Sequence, residues 1–167
     1  MKCKHMKTRT LLIFALLIAV FAGWTGLTMG DDAGKEVDFE KIVCPVSKKQ
    51  VNKDATVEHE DCIVYFCCNN CAAAFKKDVQ DKKKFLARAN HQKVATGQVK
   101  QTKCPKSFQG AKASTALEVN GVDVTFCCNN CRGWAEGLAK SADDVEDQIA
   151  TLFGPNVFGK AFEVIGK

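Results

Sequence analysis

Two runs of this chain gather thiols closely: Phe66-Cys67-Cys68-Asn69-Asn70-Cys71 and, sixty positions on, Phe126-Cys127-Cys128-Asn129-Asn130-Cys131. Thiols are soft, ionisable donors, so three within five positions point to metal ligation, disulfide formation or thiol redox chemistry. Upstream of each run stands one more cysteine, in Cys44-Pro45-Val46-Ser47 and in Cys104-Pro105-Lys106-Ser107. Twenty-two residues separate Cys44 from Cys67 and Cys104 from Cys127, and three separate Cys67 from Cys71 and Cys127 from Cys131. Both halves therefore read C-x22-C-x3-C. With Glu58 on Glu118 and Val64 on Val124 at the same offset and no gap, the chain contains an internal duplication.

The spacing says which sulfurs can meet. At a helix start, residues four apart share a face, so Cys67 and Cys71 can aim at one point, as can Cys127 and Cys131. Cys68 and Cys71, like Cys128 and Cys131, have the C-x2-C spacing of zinc knuckles. Neighbours at a strand end point to opposite sides, so one of Cys67 and Cys68 is the main ligand, and knuckle geometry favours Cys68. Cys44, Cys67, Cys68 and Cys71 together would make an all-thiolate zinc site, and Cys104, Cys127, Cys128 and Cys131 a second. Three thiolates alone would suit Cu(I). Either way the expectation is about one ion per module.

The stretches CPVS and VYFCCNNC, with Phe75 and Asp78 after them, resemble the TRASH domain, a cysteine module associated with heavy-metal trafficking, resistance and sensing, and its relative the YHS domain. The resemblance covers residues 40–90 and 100–140. It implies a treble-clef-like fold and soft-metal binding, and it favours Cys67 over Cys68 as the ligand. The chain departs from the pattern in two places: Ala135 stands where the first copy has Phe75, and neither copy has a second cysteine in its first knuckle.

Two rival readings use the same thiols. Exported small domains are often stapled by disulfides. Yet nine cysteines follow residue 30, which leaves one over. The extra one is Cys62, whose counterpart is Val122. By strand parity it faces the side that Cys68 would continue, so it is not expected to be a required ligand. A thiol oxidoreductase would use Cys68-Asn69-Asn70-Cys71 at a helix start, but the expected βαβ context is missing. His59 reads as an exposed strand histidine, since Val119 replaces it in the copy, and His91 as a solvated helix residue. Glu58 and Glu118 read as polar strand positions, Pro45 and Pro105 as turn formers, and Phe66 and Phe126 as seals between knuckle and helix. The sequence holds no Ser/His/Asp pattern, glycine-rich phosphate loop or carboxylate pair beside a histidine, so enzymatic turnover is not expected.

The elements that must position these thiols follow from local pattern. Alternation around Val57 to Phe66 predicts a hairpin turning near Glu60-Asp61, and Asn120-Gly121 marks the equivalent turn. After each CCNNC comes a helix, with Asn70 as its cap and the asparagines supplying a left-handed turn. The first breaks near Gln80-Asp81, and the second is weakened by Gly133 and Gly137. A further helix capped by Ser141 carries Val145, Ile149 and Leu152 on one face and ends at Gly154. The tail packs back as helix or strand, and residues 93–103 read as an extended connector. The expected class is α+β: treble-clef-like modules at 40–93 and 100–140, each a cysteine knuckle, a hairpin and a helix, then a C-terminal helical extension over 141–167. Modules this small bury little core alone and need a staple.

The address is read from the start. Basic residues at 2, 4, 7 and 9 precede the uncharged stretch from Leu11 to Met29, which makes residues 1–30 a signal peptide or N-terminal anchor. Those four are among the 24 basic residues, and all 19 acidic ones lie later, so the remainder carries 20 minus 19, or +1. That balance argues against a nucleic-acid partner. The expectation is an exported protein, membrane-bound only if the first segment is retained. It would carry, buffer or resist a heavy metal and exchange it with a metal-transport or metal-accepting protein.

Overall fold

Strand pairing puts the repeat into two hairpins. In the computed structural model, which describes residues 37–81, 83–140 and 144–166, β1 (Asn52–His59) pairs antiparallel with β2 (Cys62–Phe66). β4 (Lys112–Val119) pairs in the same way with β5 (Val122–Phe126). The connecting residues take positive φ in both copies: Glu60 52° and Asp61 59°, Asn120 48° and Gly121 81°. Two such residues form the tight turn whose twist matches paired strands, and the turns fall where the sequence puts them. Residues 1–30, read as a targeting segment, and Ser141, read as a cap, lie outside the described residues.

A helix follows each hairpin: α1 (Asn69–Asp81), succeeded by α2 (Leu86–Ala95), and α3 (Asn129–Glu136). The break expected near Gln80-Asp81 is present. There the Asp78 carboxylate accepts the Phe85 N–H at 2.9 Å while the Asp78 carbonyl accepts that of Lys83, which has φ 54°. The C-terminal part forms α4 (Val145–Leu152), α5 (Pro155–Ala161) and β6 (Phe162–Val164), so the tail is both helix and strand. β6 pairs antiparallel with β3 (Val99–Gln101), which lies between the modules. The described residues thus form five helices and three two-stranded antiparallel sheets. None of these helices is long and apolar enough to cross a membrane.

Several local expectations need correction. Residues 93–103 are not an extended connector throughout: α2 runs to Ala95, the chain turns at Gly97 with φ 69°, and only then extends as β3. Burial of Lys93 and Thr96 explains this, because tertiary packing carries the helix past the point where composition would end it. Asn70 is not a cap, since Cys68 O accepts the Ala72 N–H and so places Cys68 at that position. The asparagines do not take left-handed conformations either. Left-handed residues stand instead in the turns after Cys44 and Cys104, at Lys48 and Phe108, with φ 61° and 58°.

Side chains fill two adjoining cores. The first gathers Cys44, Val57, Val64, Phe66, Phe75 and Leu86. The second joins Cys104, Val124 and Phe126 to Ile149, Leu152, Phe153, Phe158 and Phe162 from the C-terminal elements, and it also takes in Cys62 from the first hairpin. α2 lies between them, packing on β2, β3, β5, α4 and α5. His91 on α2 is therefore not solvated. It is buried, its Nε2 lies 3.0 Å from Val119 O, and its ring meets Phe153 edge-on at 5.0 Å. His59 is not exposed either: its Nδ1 lies 3.1 Å from the buried Lys93 Nζ and its ring packs on Phe75. Glu58 and Glu118 are exposed strand residues, as expected.

Glutamine side chains close the outer edges of the hairpins. Gln92 accepts the Tyr65 N–H at 2.7 Å and donates to Tyr65 O and Val43 O. Gln98 does the same to Ile63 N and O, and Gln101 to Thr125 N and O. Each primary amide offers a donor and an acceptor side by side, as a neighbouring strand would.

Candidate metal centre

Each centre is built from two turns. In the first, the Cys44 N–H donates to Lys49 O at 2.7 Å and the Lys48 N–H to Cys44 O at 2.9 Å, with Lys48 in the left-handed region. The second copy repeats this with Cys104 N–H to Gln109 O at 2.8 Å and Phe108 N–H to Cys104 O at 2.9 Å. A single bridge closes each turn, Val43 to Gln50 and Lys103 to Gly110. The effect is to hold Cys44 and Cys104 fully buried.

The other turn is the passage from strand to helix. β2 ends at Phe66, Cys67 precedes the helix cap and Cys71 is the third residue of α1. Cys67 Sγ and Cys71 Sγ are 3.6 Å apart, and Cys127 Sγ and Cys131 Sγ are also 3.6 Å apart. With the first-turn cysteine added, the sulfurs of Cys44, Cys67 and Cys71 all lie within 4.8 Å of one another, as do those of Cys104, Cys127 and Cys131. A metal about 2.3 Å from each thiolate would set its sulfurs about 3.8 Å apart in tetrahedral geometry. The donor sets therefore fit, and each could hold one metal ion.

Cys68 and Cys128 lie outside these groups. Both are exposed, and their sulfurs stand 3.7 Å from Cys67 Sγ and Cys127 Sγ. Cys128 caps α3 in an extended conformation, φ −161° and ψ 166°. Its thiol faces the Cys131 N–H, without a cap hydrogen bond of ordinary geometry, and that N–H lowers its pKa, as the Cys71 N–H lowers that of Cys68. Cys62 is buried and stands apart from both groups.

Ser47 and Ser107 acquire a role that spacing alone did not assign. Their hydroxyls lie 3.1 Å from Cys67 Sγ and 3.2 Å from Cys127 Sγ. Each serine occupies the place where a C-x2-C turn would carry its second thiol, and that could have been read from CPVS and CPKS.

Burial opposes ionisation of Cys44, but the Ser47 hydroxyl and the backbone N–H groups of Ser47, Cys67 and Val46 outweigh it and hold the thiol at about 7. Cys104 is likewise at about 7, burial being overcome by the Ser107 hydroxyl and the N–H groups of Cys127, Ser107 and Lys106. Cys71 and Cys131 go the other way, to about 12, through desolvation first and then through the thiols and charge beside them. One sulfur of each group thus ionises readily while another holds its proton. A soft cation would displace that proton on binding.

The surroundings differ between the copies. Arg88 donates to Pro45 O at 3.0 Å, and Glu146 on α4 pairs with both Lys48 and Arg88, which clamps the first turn to α2 and α4. In the second copy Lys106 lies over the Trp134 ring at 4.6 Å. Where Phe75 fills the first core, the smaller Ala135 is covered by α4, whose Gln148 donates to Ala135 O at 2.8 Å. The chain matches no protein-family model, no curated protein and no solved structure.

Proposed function

We propose that this is an exported soft-metal carrier or buffer that holds one ion in each module, with the metal as cargo. The observation that carries the reading is the convergence of three sulfurs at equivalent positions in both copies, although the surrounding residues have diverged. Three thiolates with a serine hydroxyl at the fourth place favour Cu(I), which accepts low coordination; zinc would need a further donor. The two-turn arrangement ahead of a helix supports kinship with TRASH and YHS domains and a treble-clef-like description. The basic-then-apolar N-terminal segment supports export, and thiolate cargo implies a metal-donating or metal-accepting partner. The reduced chain should take up two equivalents of Cu(I) by native mass spectrometry, one for each group. Cys71→Ser should remove one equivalent and leave the Cys104 group filled; unchanged stoichiometry in that variant would sink the proposal.

A second reading, disulfide stapling, draws on the 3.6 Å approach of Cys67 and Cys71, which a small side-chain rotation could close. The two part on one measurement. Protein isolated without reductant should expose many thiols to alkylation once a chelator is added if it carries metal. If it is stapled at such pairs, the exposed Cys68 and Cys128 should react from the start and the number of reactive thiols should not rise when the chelator is added.

A further inference from the structure

Beside each buried three-sulfur group stands a fourth thiol that the group does not enclose. Cys68 Sγ lies 3.7 Å from Cys67 Sγ and is exposed, and Cys128 repeats the arrangement with Cys127. Cys44, by contrast, is fully buried while Cys67 and Cys71 are half-buried, so an ion reaching the group has its approach from the strand-to-helix turn, where Cys68 stands. The repetition is informative because the chain does not repeat every cysteine: Cys62 has Val122 as its counterpart. A thiol at the mouth, within one sulfur–sulfur edge of an inner ligand, can hold an ion jointly with Cys67 and with a ligand from outside.

We propose that Cys68 and Cys128 are exchange ligands, through which the ion is handed between the buried group and a thiolate presented by a partner. This rests on the soft-metal reading above and adds the route and the chemical class of the partner. Loading runs by substitution at the metal: the bond from the ion to the partner's sulfur breaks and a bond to Cys68 Sγ forms. The proton of the Cys68 thiol passes to the departing thiolate. The ion then moves to Cys67, Cys71 and Cys44, and Cys68 regains a proton from those the group gives up. The oxidation state of the metal does not change, so neither oxidant nor reductant is consumed.

The test compares the full-length chain with the double variant Cys68→Ser, Cys128→Ser, each loaded with Cu(I). Both should hold two equivalents, one for each three-sulfur group, with the same sulfur count by X-ray absorption. Affinities by competition with bicinchoninate should agree within about threefold. Transfer of Cu(I) to excess dithiothreitol, and separately to a peptide bearing a C-x2-C pair, should slow in the variant by on the order of tenfold or more. Slowing in both arms marks any thiolate as a partner, and slowing with the peptide alone marks a protein. Equal rates in both arms would overturn the proposal. Loss of an equivalent or of one sulfur per site would overturn it too, by showing Cys68 to be a resident ligand. If the unaltered chain bound no Cu(I), the soft-metal reading itself would fall, and the exchange role with it.

Discussion

At the scale of single residues, the thiols of one group titrate in opposite directions, and that has a sign that can be checked. Cys44 and Cys104, held at about 7 against an ordinary 9.0, contribute stability that is fully present above pH 9 and is lost as pH falls through 7. Cys71 and Cys131, pushed up to about 12, contribute stability present below pH 9 and lost as pH rises toward 12. The thiol part of the metal-free protein's stability should therefore peak near pH 9, measured by urea unfolding under reductant at intervals between pH 6 and 11. In Ser47→Ala the gain on going from pH 7 to 9 should shrink, because the hydroxyl that favours the Cys44 thiolate is gone. A flat profile in both proteins would contradict the account. The cysteine positions themselves were legible from spacing, because a helix start fixes where Cys67 and Cys71 can point. The choice between Cys67 and Cys68 was not: it depends on the residue at which the helix begins, and a one-residue difference there exchanges inside for outside.

Among the elements, the hairpins were readable because their turns are local chemistry, Asn120-Gly121 above all. The reach of α2 was not, since what holds its last turn lies far away in sequence. Gln92 shows the difficulty. It is buried on a polar, lysine-bearing stretch and uses its amide to occupy Tyr65 N, Tyr65 O and Val43 O. His91, one residue earlier, bonds to Val119 of the other hairpin. Neither partner can be found by periodicity. Gln92→Leu keeps the bulk but leaves these backbone groups without their partner, and should destabilise the fold by about 2–3 kcal/mol in urea titrations. A cost near zero would mean that water replaces the amide and that the edge needs no such cover.

For the whole molecule, the expectation of two modules and an appended extension understates how the parts depend on one another. Phe153 is fully buried in the second core, packs on His91 of α2 and on Phe162, and its carbonyl accepts from Asn90. Phe153→Ala should cost about 3–5 kcal/mol. Because α2 also packs on the first hairpin, amides of β2 and β5 should lose hydrogen-exchange protection in parallel; loss confined to β5 would show that the first module stands alone. Cys62 carries the same dependence into the history of the chain. A duplication begins as two interchangeable halves, and either can be deleted without harm. Once the first hairpin began to lend Cys62 to the core of its sibling, deleting the first copy would leave a hole in the second. The two halves are thereby no longer interchangeable parts, and removing either one takes away something the other is built on.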